Sequence, residues 1–272
     1  KYIFLDTMNV NEYTVKLFAN QWQKVKPSLL FGHAHSLYLL AQYVSDLNLS
    51  TIRPRSIISS SMTLMDHERK KIENVFGVKV YDRYGCEEVG LIASECEKHM
   101  GMHLNIEHLY IEIINEKGNT ANLGEEGNIV VTDLLNRAMP IIRYKLGDIG
   151  ILSDIKCPCG RGLPLLGKVK GRTADYLKKM DGSKISGISL IENTLTNIPG
   201  IKQMQIIQKS YEQFQIRLVV STRYCQESEK RLIAYMKKIF HDEIDILIDY
   251  VENIATSKSG KYRFSICEII DP

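Results

Sequence analysis

Apolar residues recur at helical spacing between positions 11 and 26, where Asn11 offers a side-chain cap and Pro27 stops the run. A second helical stretch fits Ser36 to Leu47. Ser56–Ser60 reads as a buried strand; Asp66 then caps a helix through Val75, Gly77 ends it, and Val78–Tyr81 is a further strand. Strand, helix, strand within so short a stretch is the pattern of an α/β crossover unit. The opening residues, Lys1 to Asp6, read as one more strand.

From Tyr110 the period shortens. Tyr110–Ile114 and Asn128–Thr132 predict strands joined by turns at Gly118, Gly124 and Gly127. Residues 141–152 add short strands around Gly147 and Gly150, and 160–171 reads as loop and turn. After Asp175 the texture changes again. A helix fits Ser189–Asn197, stopped by Pro199-Gly200, and strands fit Gln203–Gln208 and Gln213–Val220. Glu227–Phe240 carries Leu232, Ile233, Met236, Ile239 and Phe240 on one helical face, and Ile244–Val251 closes the pattern as a strand. The expected fold class is therefore α/β plus α+β. A large core would span 1–174, α/β over 1–108 and β-rich over 109–174, followed by a small α+β domain at 175–272.

Composition narrows the class. With 44% hydrophobic and 25% charged residues over 272 positions, the chain has the make-up of a folded globular protein rather than a disordered one. No apolar run reaches the length of a membrane span. Lys and Arg number 35 against 32 Asp and Glu, so the net charge of +3 gives no basis for nucleic-acid or membrane partners. Six cysteines are too few for a disulfide scaffold and point to a reducing, cytoplasmic setting. The start lacks an initiator Met, a long apolar run and a cleavage site, so the chain reads as a piece of a longer protein without a signal peptide.

Four short motifs carry candidate chemistry. Tyr84-Gly85-Cys86-Glu87-Glu88 follows the Val78–Tyr81 strand; an aromatic ring there can stack on a base, and a carboxylate can hold Mg²⁺ beside phosphates. In Arg143-Tyr144-Lys145-Leu146-Gly147-Asp148, an Asp fixed by its preceding Gly can accept from a ribose diol. Gly171-Arg172-Thr173-Ala174-Asp175 falls at the change of texture, where Arg172 could reach ribose or phosphate and the segment could hinge. Ser259-Gly260-Lys261 could bring a cation to developing negative charge; it does not match the Walker pattern. Taken singly, each also reads as an ordinary turn, hairpin, linker or tail.

In this order and spacing the four motifs resemble the adenylate-forming superfamily of acyl-CoA ligases, most closely its phenylacetate–CoA ligase, coenzyme F390 synthetase-like and capsular-polysaccharide branch. The resemblance runs from about Pro27 onward. It implies ATP and AMP binding with Tyr84 and Gly85 at adenine, Asp148 and Arg172 at ribose, and Glu88 on Mg²⁺. It further implies a hinge at Asp175 and catalysis by Lys261. Glu87 stands where the family has Thr near phosphate, and the family's phosphate loop would lie upstream of Lys1. The implied function is an AMP-forming ligase that activates a carboxylic acid, an aryl acid such as phenylacetate among the candidates. The acyl group would pass to CoA or a carrier-protein thiol, and this piece would be inactive alone. His33 and His35, in Gly32-His33-Ala34-His35-Ser36, match a pocket-lining region for the acid in the resemblance; a helix start with surface imidazoles is the competing reading. A homodimer is left open.

Cys96, His103, Cys157 and Cys159 form a candidate Cys₃His zinc set, from a pair around Gly101 and a Cys-Pro-Cys-Gly turn, with Cys86 in reserve. Relatives in the branch carry similar positions, while free thiols packed as small apolar groups are the competing reading. Cys225 and Cys267 read as packing residues. Two other functions are carried alongside the ligase: a non-catalytic nucleotide-binding or regulatory relative of the same fold, and a zinc-knuckle nucleic-acid module.

Overall fold

The computed structural model describes residues 1–6, 10–172, 175–255 and 263–269, apart from the side chains of Arg172, Ser186, Ser189, Glu192 and Thr196. The chain divides into two compact units, Lys1–Lys170 and Gly171–Pro272.

The first unit opens with helix α1 (Glu12–Val25). Asn11 caps it reciprocally with Thr14, each backbone N–H donating to the other's side-chain oxygen at 3.0 Å. Val15, Phe18, Ala19 and Trp22 recur every three to four residues and are buried, as an amphipathic helix requires. Strand β1 (Leu29–His33) follows, then α2 (Ala34–Asp46), β2 (Ser56–Ser60), α3 (Asp66–Phe76) and β3 (Val80–Cys86). Strands β1, β2 and β3 pair in parallel, and Leu30, Ile57 and Val80 meet the three helices in one apolar core.

The antiparallel part continues from β3 without a break. It comprises β4 (Gly90–Glu95), β5 (Met102–Leu104), β6 (Leu109–Ile114), β7 (Glu126–Asp133), β8 (Tyr144–Ser153) and β9 (Leu165–Arg172). One nine-stranded sheet results, in the order β1-β2-β3-β4-β5-β9-β8-β7-β6. A second core, with Ile92, Leu104, Leu109, Ile129 and Leu166 at its centre, lies under this half.

In the second unit a hairpin of β10 (Tyr176–Lys178) and β11 (Lys184–Ser186) precedes α4 (Gly187–Asn197). Strands β12 (Ile201–Gln208) and β13 (Gln213–Val220), helix α5 (Gln226–Ile239), β14 (Asp245–Tyr250) and β15 (Ser265–Cys267) complete it. The sheet order is β14-β13-β12-β15, antiparallel at its centre and parallel at both edges. Leu232 and Met236 of α5 are buried, and Phe240 stacks on Phe214 with ring centroids 4.4 Å apart.

Several sequence expectations need correction. Residues 165–172 form a strand, not loop and turn. Interleaved Gly and Lys hide it from a hydrophobic pattern, yet Leu165 and Leu166 are buried against β5. Lys1–Asp6 is irregular: Ile3 and Leu5 pack on the first core while Tyr2 and Phe4 stay exposed, and no described strand pairs with the segment. Asp66 is not the cap of α3. Met65 takes the cap position and Glu68 reaches back to its N–H at 3.3 Å, while Asp66 sits in the first turn, where the helix dipole favours a carboxylate. Strand β3 starts two residues late and continues through Tyr84-Gly85-Cys86, because β4 folds back and pairs Gly85 with Leu91 and Cys86 with Gly90.

Candidate functional site

Parallel strands present ligands at their C-terminal edge, and here that edge collects His33, Ser60 and the end of β3. Gly85 is required for the hairpin that follows: a Cβ there would lie 2.3 Å from the Gly90 carbonyl oxygen. The turn at 87–89 therefore closes tightly and leaves Glu87 and Glu88 exposed.

Strand β8 carries the other half of the site. Gly147 holds a φ of +80°, a conformation open to glycine at little cost, immediately before Asp148. The Tyr84 hydroxyl donates to Asp148 Oδ2 at 2.7 Å. In return, the Tyr144 hydroxyl donates to Glu88 Oε1 at 2.9 Å. Four ladder steps separate β3 from β8 in the sheet order, about 19 Å if the sheet were flat. Two side chains cannot bridge that span, so the sheet curls until β8 faces β3. Motifs 60 residues apart in sequence are thus joined by two crossed tyrosine–carboxylate hydrogen bonds.

The electrostatics follow from these contacts. The hydrogen bond to Glu88 and its negative charge push the Tyr144 hydroxyl up. Burial raises the Cys86 thiol, with further contributions from the Glu88 carboxylate. Arg143 is turned away to Glu112, with Nε 3.1 Å from Oε2. Glu88 offers an exposed carboxylate beside that of Glu87, which suits a magnesium ion that keeps most of its waters and takes its remaining ligands from phosphates.

Beneath Tyr84 lies a charged cluster. Arg69 donates to Glu95 Oε1 and to the Val80 carbonyl, both at 2.7 Å, and Glu95 Oε2 accepts the Asp82 N–H at 2.8 Å. The Asp82 carboxyl is raised to about 7, chiefly by burial and then by the Glu95 charge, against the Ser59 hydroxyl and Arg69.

His33 ends β1 and stands at the N-cap of α2, half-buried. His35 lies inside the first unit, with Nδ1 2.8 Å from Glu68 Oε1 and its ring beside Tyr38. Tyr38 is pushed up to about 12 by burial and by the Glu68 charge. Asp175 belongs to the second unit: its carbonyl accepts the Ser265 hydroxyl at 2.5 Å, and Arg263 Nη2 lies 3.8 Å from its carboxylate. Lys261 and the Arg172 side chain lie outside the described residues.

The four candidate zinc ligands come together. The ligand atoms of Cys96, His103, Cys157 and Cys159 all lie within 4.8 Å of one another. Cys96 Sγ and Cys157 Sγ are 3.5 Å apart, and Cys159 Sγ is 3.3 Å from His103 Nε2. With Zn–S near 2.3 Å and Zn–N near 2.0–2.1 Å, the edges of a Cys₃His tetrahedron run about 3.5–3.8 Å; the donor set suits the ion, and its atoms, all within 4.8 Å, would have to adjust slightly to surround it.

Sequence reasoning missed Tyr144 and the cluster around Asp82. Tyr144 stands within the motif that supplied Asp148, but its partner is 56 residues away and only the curled sheet brings it near. Asp82 precedes Tyr84 by two positions, so strand alternation could have placed it beside the motif; its surroundings come from Ser59, Arg69 and Glu95.

A family model described as the CapK C-terminal domain matches residues 177–268. Protein CapK of Staphylococcus aureus is 21% identical over 98% of this chain and 59% of its own length. The phenylacetate–coenzyme A ligase of Thermus thermophilus is 28% identical over 61% of this chain and 39% of its own length. The chain thus spans less than two thirds of the length of these relatives. Among solved structures, a 2-hydroxyisobutyryl-CoA ligase in the postadenylation state superposes with a TM-score of 0.78 at 19% identity, covering 95% of this chain and 58% of that one. The anthranilate CoA ligase AuaEII with anthranoyl-AMP gives 0.68 at 15% identity, covering 93% and 52%. At these identities the structural likeness shows the fold alone, one that this chain shares with parts of these two ligases.

Proposed function

We propose that this chain belongs to the CapK and phenylacetate–CoA ligase-like branch of the adenylate-forming enzymes and forms the nucleotide-binding end of an AMP-forming ligase. Its reaction would join a carboxylic acid to the α-phosphorus of ATP, release pyrophosphate, and pass the acyl group from AMP to the thiol of CoA or of a carrier protein. An aryl acid is the favoured substrate class, from the likeness to phenylacetate ligases.

The observation that carries this reading is the meeting of Tyr84, Glu88 and Asp148 at the C-terminal edge of the parallel strands. Tyr84 would offer its ring to the adenine, and Asp148, already oriented by the Tyr84 hydroxyl, would accept from the ribose diol. Glu88 would hold Mg²⁺, which when bound screens the phosphate charges. The side chains of this site thus act by positioning, since both reactants are anions that must be held in line. Asp175 would be the hinge and Lys261 the cation that offsets charge at the reacting phosphate. The test is calorimetric titration with AMP: the wild-type chain should bind, and Asp148→Ala should abolish binding. An Asp148→Ala chain that binds as wild type would reject the site.

Glu87 favours a second reading, a nucleotide-binding relative that does not catalyse adenylation. Its exposed carboxylate stands where the resemblance expects a hydroxyl near phosphate, and anion would face anion there. Pyrophosphate exchange by the complete protein separates the two readings; the present chain alone should show none.

The Cys96, His103, Cys157 and Cys159 cluster we read as a structural zinc centre, on the strength of its donor set and the closeness of its ligand atoms. It would tie the β4–β5 turn to the loop before β9. Zinc measured in protein purified under reductant should approach one equivalent per chain.

A further inference from the structure

We infer that Cys96 and Cys157 are a reversible oxidative modification site, converted by a hydroperoxide such as hydrogen peroxide into a disulfide that excludes the metal. The inference stands on sulfur geometry; from the zinc reading of the same cluster it takes only the competition between metal and bond.

Cys96 is buried at the end of β4, and Cys157 is half-buried in the loop between β8 and β9. Their sulfurs are 3.5 Å apart, close enough that a shift of about 1.5 Å brings them to the 2.05 Å of a disulfide. The other pairings are less favourable. Cys157 and Cys159 flank a single proline, and a bridge across it would strain the small ring. The Cys159 sulfur faces His103 Nε2 at 3.3 Å and is also held by the Arg161 backbone N–H. Cys225 and Cys267 lie in the other unit.

Exposure sets the order of events. The Cys157 thiolate attacks one peroxide oxygen; the O–O bond breaks, hydroxide leaves and takes up a proton as water, and Cys157 becomes a sulfenic acid. The Cys96 sulfur then attacks Cys157 Sγ, the S–O bond breaks, and the hydroxyl leaves with the Cys96 proton as a second water. Two thiols are oxidised by two electrons in all, and one hydrogen peroxide is reduced to two waters. A dithiol reductant reverses the change by exchange. Two of the four metal donors are consumed by the bond, so the oxidised cluster cannot complete a zinc site.

The experiment uses the intact chain, stripped of metal with a chelator and treated with limiting hydrogen peroxide, beside a sample loaded with zinc. Thiols are counted under denaturing conditions, and peptides are mapped by non-reducing mass spectrometry. The chain has six free thiols; the metal-free sample should fall to four, carry a 96–157 linkage, lose its zinc uptake and regain both on dithiothreitol treatment. The zinc-loaded sample should resist. Cys157→Ser should abolish the linkage and Cys225→Ser should leave it unchanged; should Cys157→Ser fail to fold, the wild-type peptide map still decides. A 157–159 linkage, or over-oxidised Cys157 with Cys96 intact, overturns the inference. A 96–157 bond in a chain that never takes up zinc sustains it and removes the zinc reading. No bond in a metal-free chain that does take up zinc overturns the inference alone.

Discussion

The carboxyl of Asp82 should make the first unit less stable as the pH rises, and Asp82→Asn should remove that dependence. Its value rises in the fold from an ordinary 3.8 to about 7, because burial and the Glu95 charge penalise the ionised form more than Ser59 and Arg69 relieve it. For a carboxyl raised in this way, its contribution is fully present below pH 3.8 and is lost as the pH climbs to about 7. At 1.36 kcal/mol per pH unit the whole rise amounts to about 4 kcal/mol, an upper bound that the residual exposure of Asp82 reduces to about 2. The chain holds one tryptophan, and Trp22 is buried in the first unit's core, so its fluorescence reports that unit's unfolding without interference from the other. Urea titrations of wild type and Asp82→Asn at pH 5 and pH 8 should give a stability gap that widens in favour of Asn by about 1–2 kcal/mol. A gap that stays constant, or that turns against Asn at pH 8, would refute the reasoning.

Two further outcomes follow from the same geometry. Tyr84→Phe keeps the ring but releases Asp148, so AMP affinity should fall about fivefold, from a hydrogen bond of about 1 kcal/mol at a half-buried site; Tyr84→Ala should lose a further ten- to hundredfold with the stacking surface. Equal affinities for the two variants in calorimetry would show that the ring carries nothing. Removing zinc with a chelator should lower the thermal midpoint followed at Trp22, and His103→Ala should start from that lower value and show no response to chelator; a chelator-sensitive His103→Ala chain would place the metal elsewhere.

The parts of the fold that were legible in the sequence are those where a local rule decides. Helix α1 has its Asn11 cap and a three-to-four-residue apolar stripe, and α3 ends at Gly77 with φ of +70°. Strand β2, with Ile57 buried on both sides by strands and below by helices, also declares itself. Strands β5 and β9 do not: three residues of one and the Gly-Lys interleaving of the other carry no periodicity, and their pairing is set by tertiary register. The candidate site divides the same way. Tyr84, Glu88 and Asp148 belong to motifs that can be read in sequence order, whereas the partnership of Tyr144 with Glu88 depends on how far the sheet bends. The four candidate metal donors were nameable by residue type, but only the strand order β4-β5-β9 explains why two distant segments meet.

That meeting point has a mechanical meaning. Strands β5 and β9 share two residue pairs, Met102 with Leu166 and His103 with Leu165, against three between β4 and β5 and four between β3 and β4. The ladder is short at this step, and the thiol–imidazole cluster lies across it. Pulled or digested, the first unit should part along this line, and a metal held by the four side chains would raise the force that the parting requires.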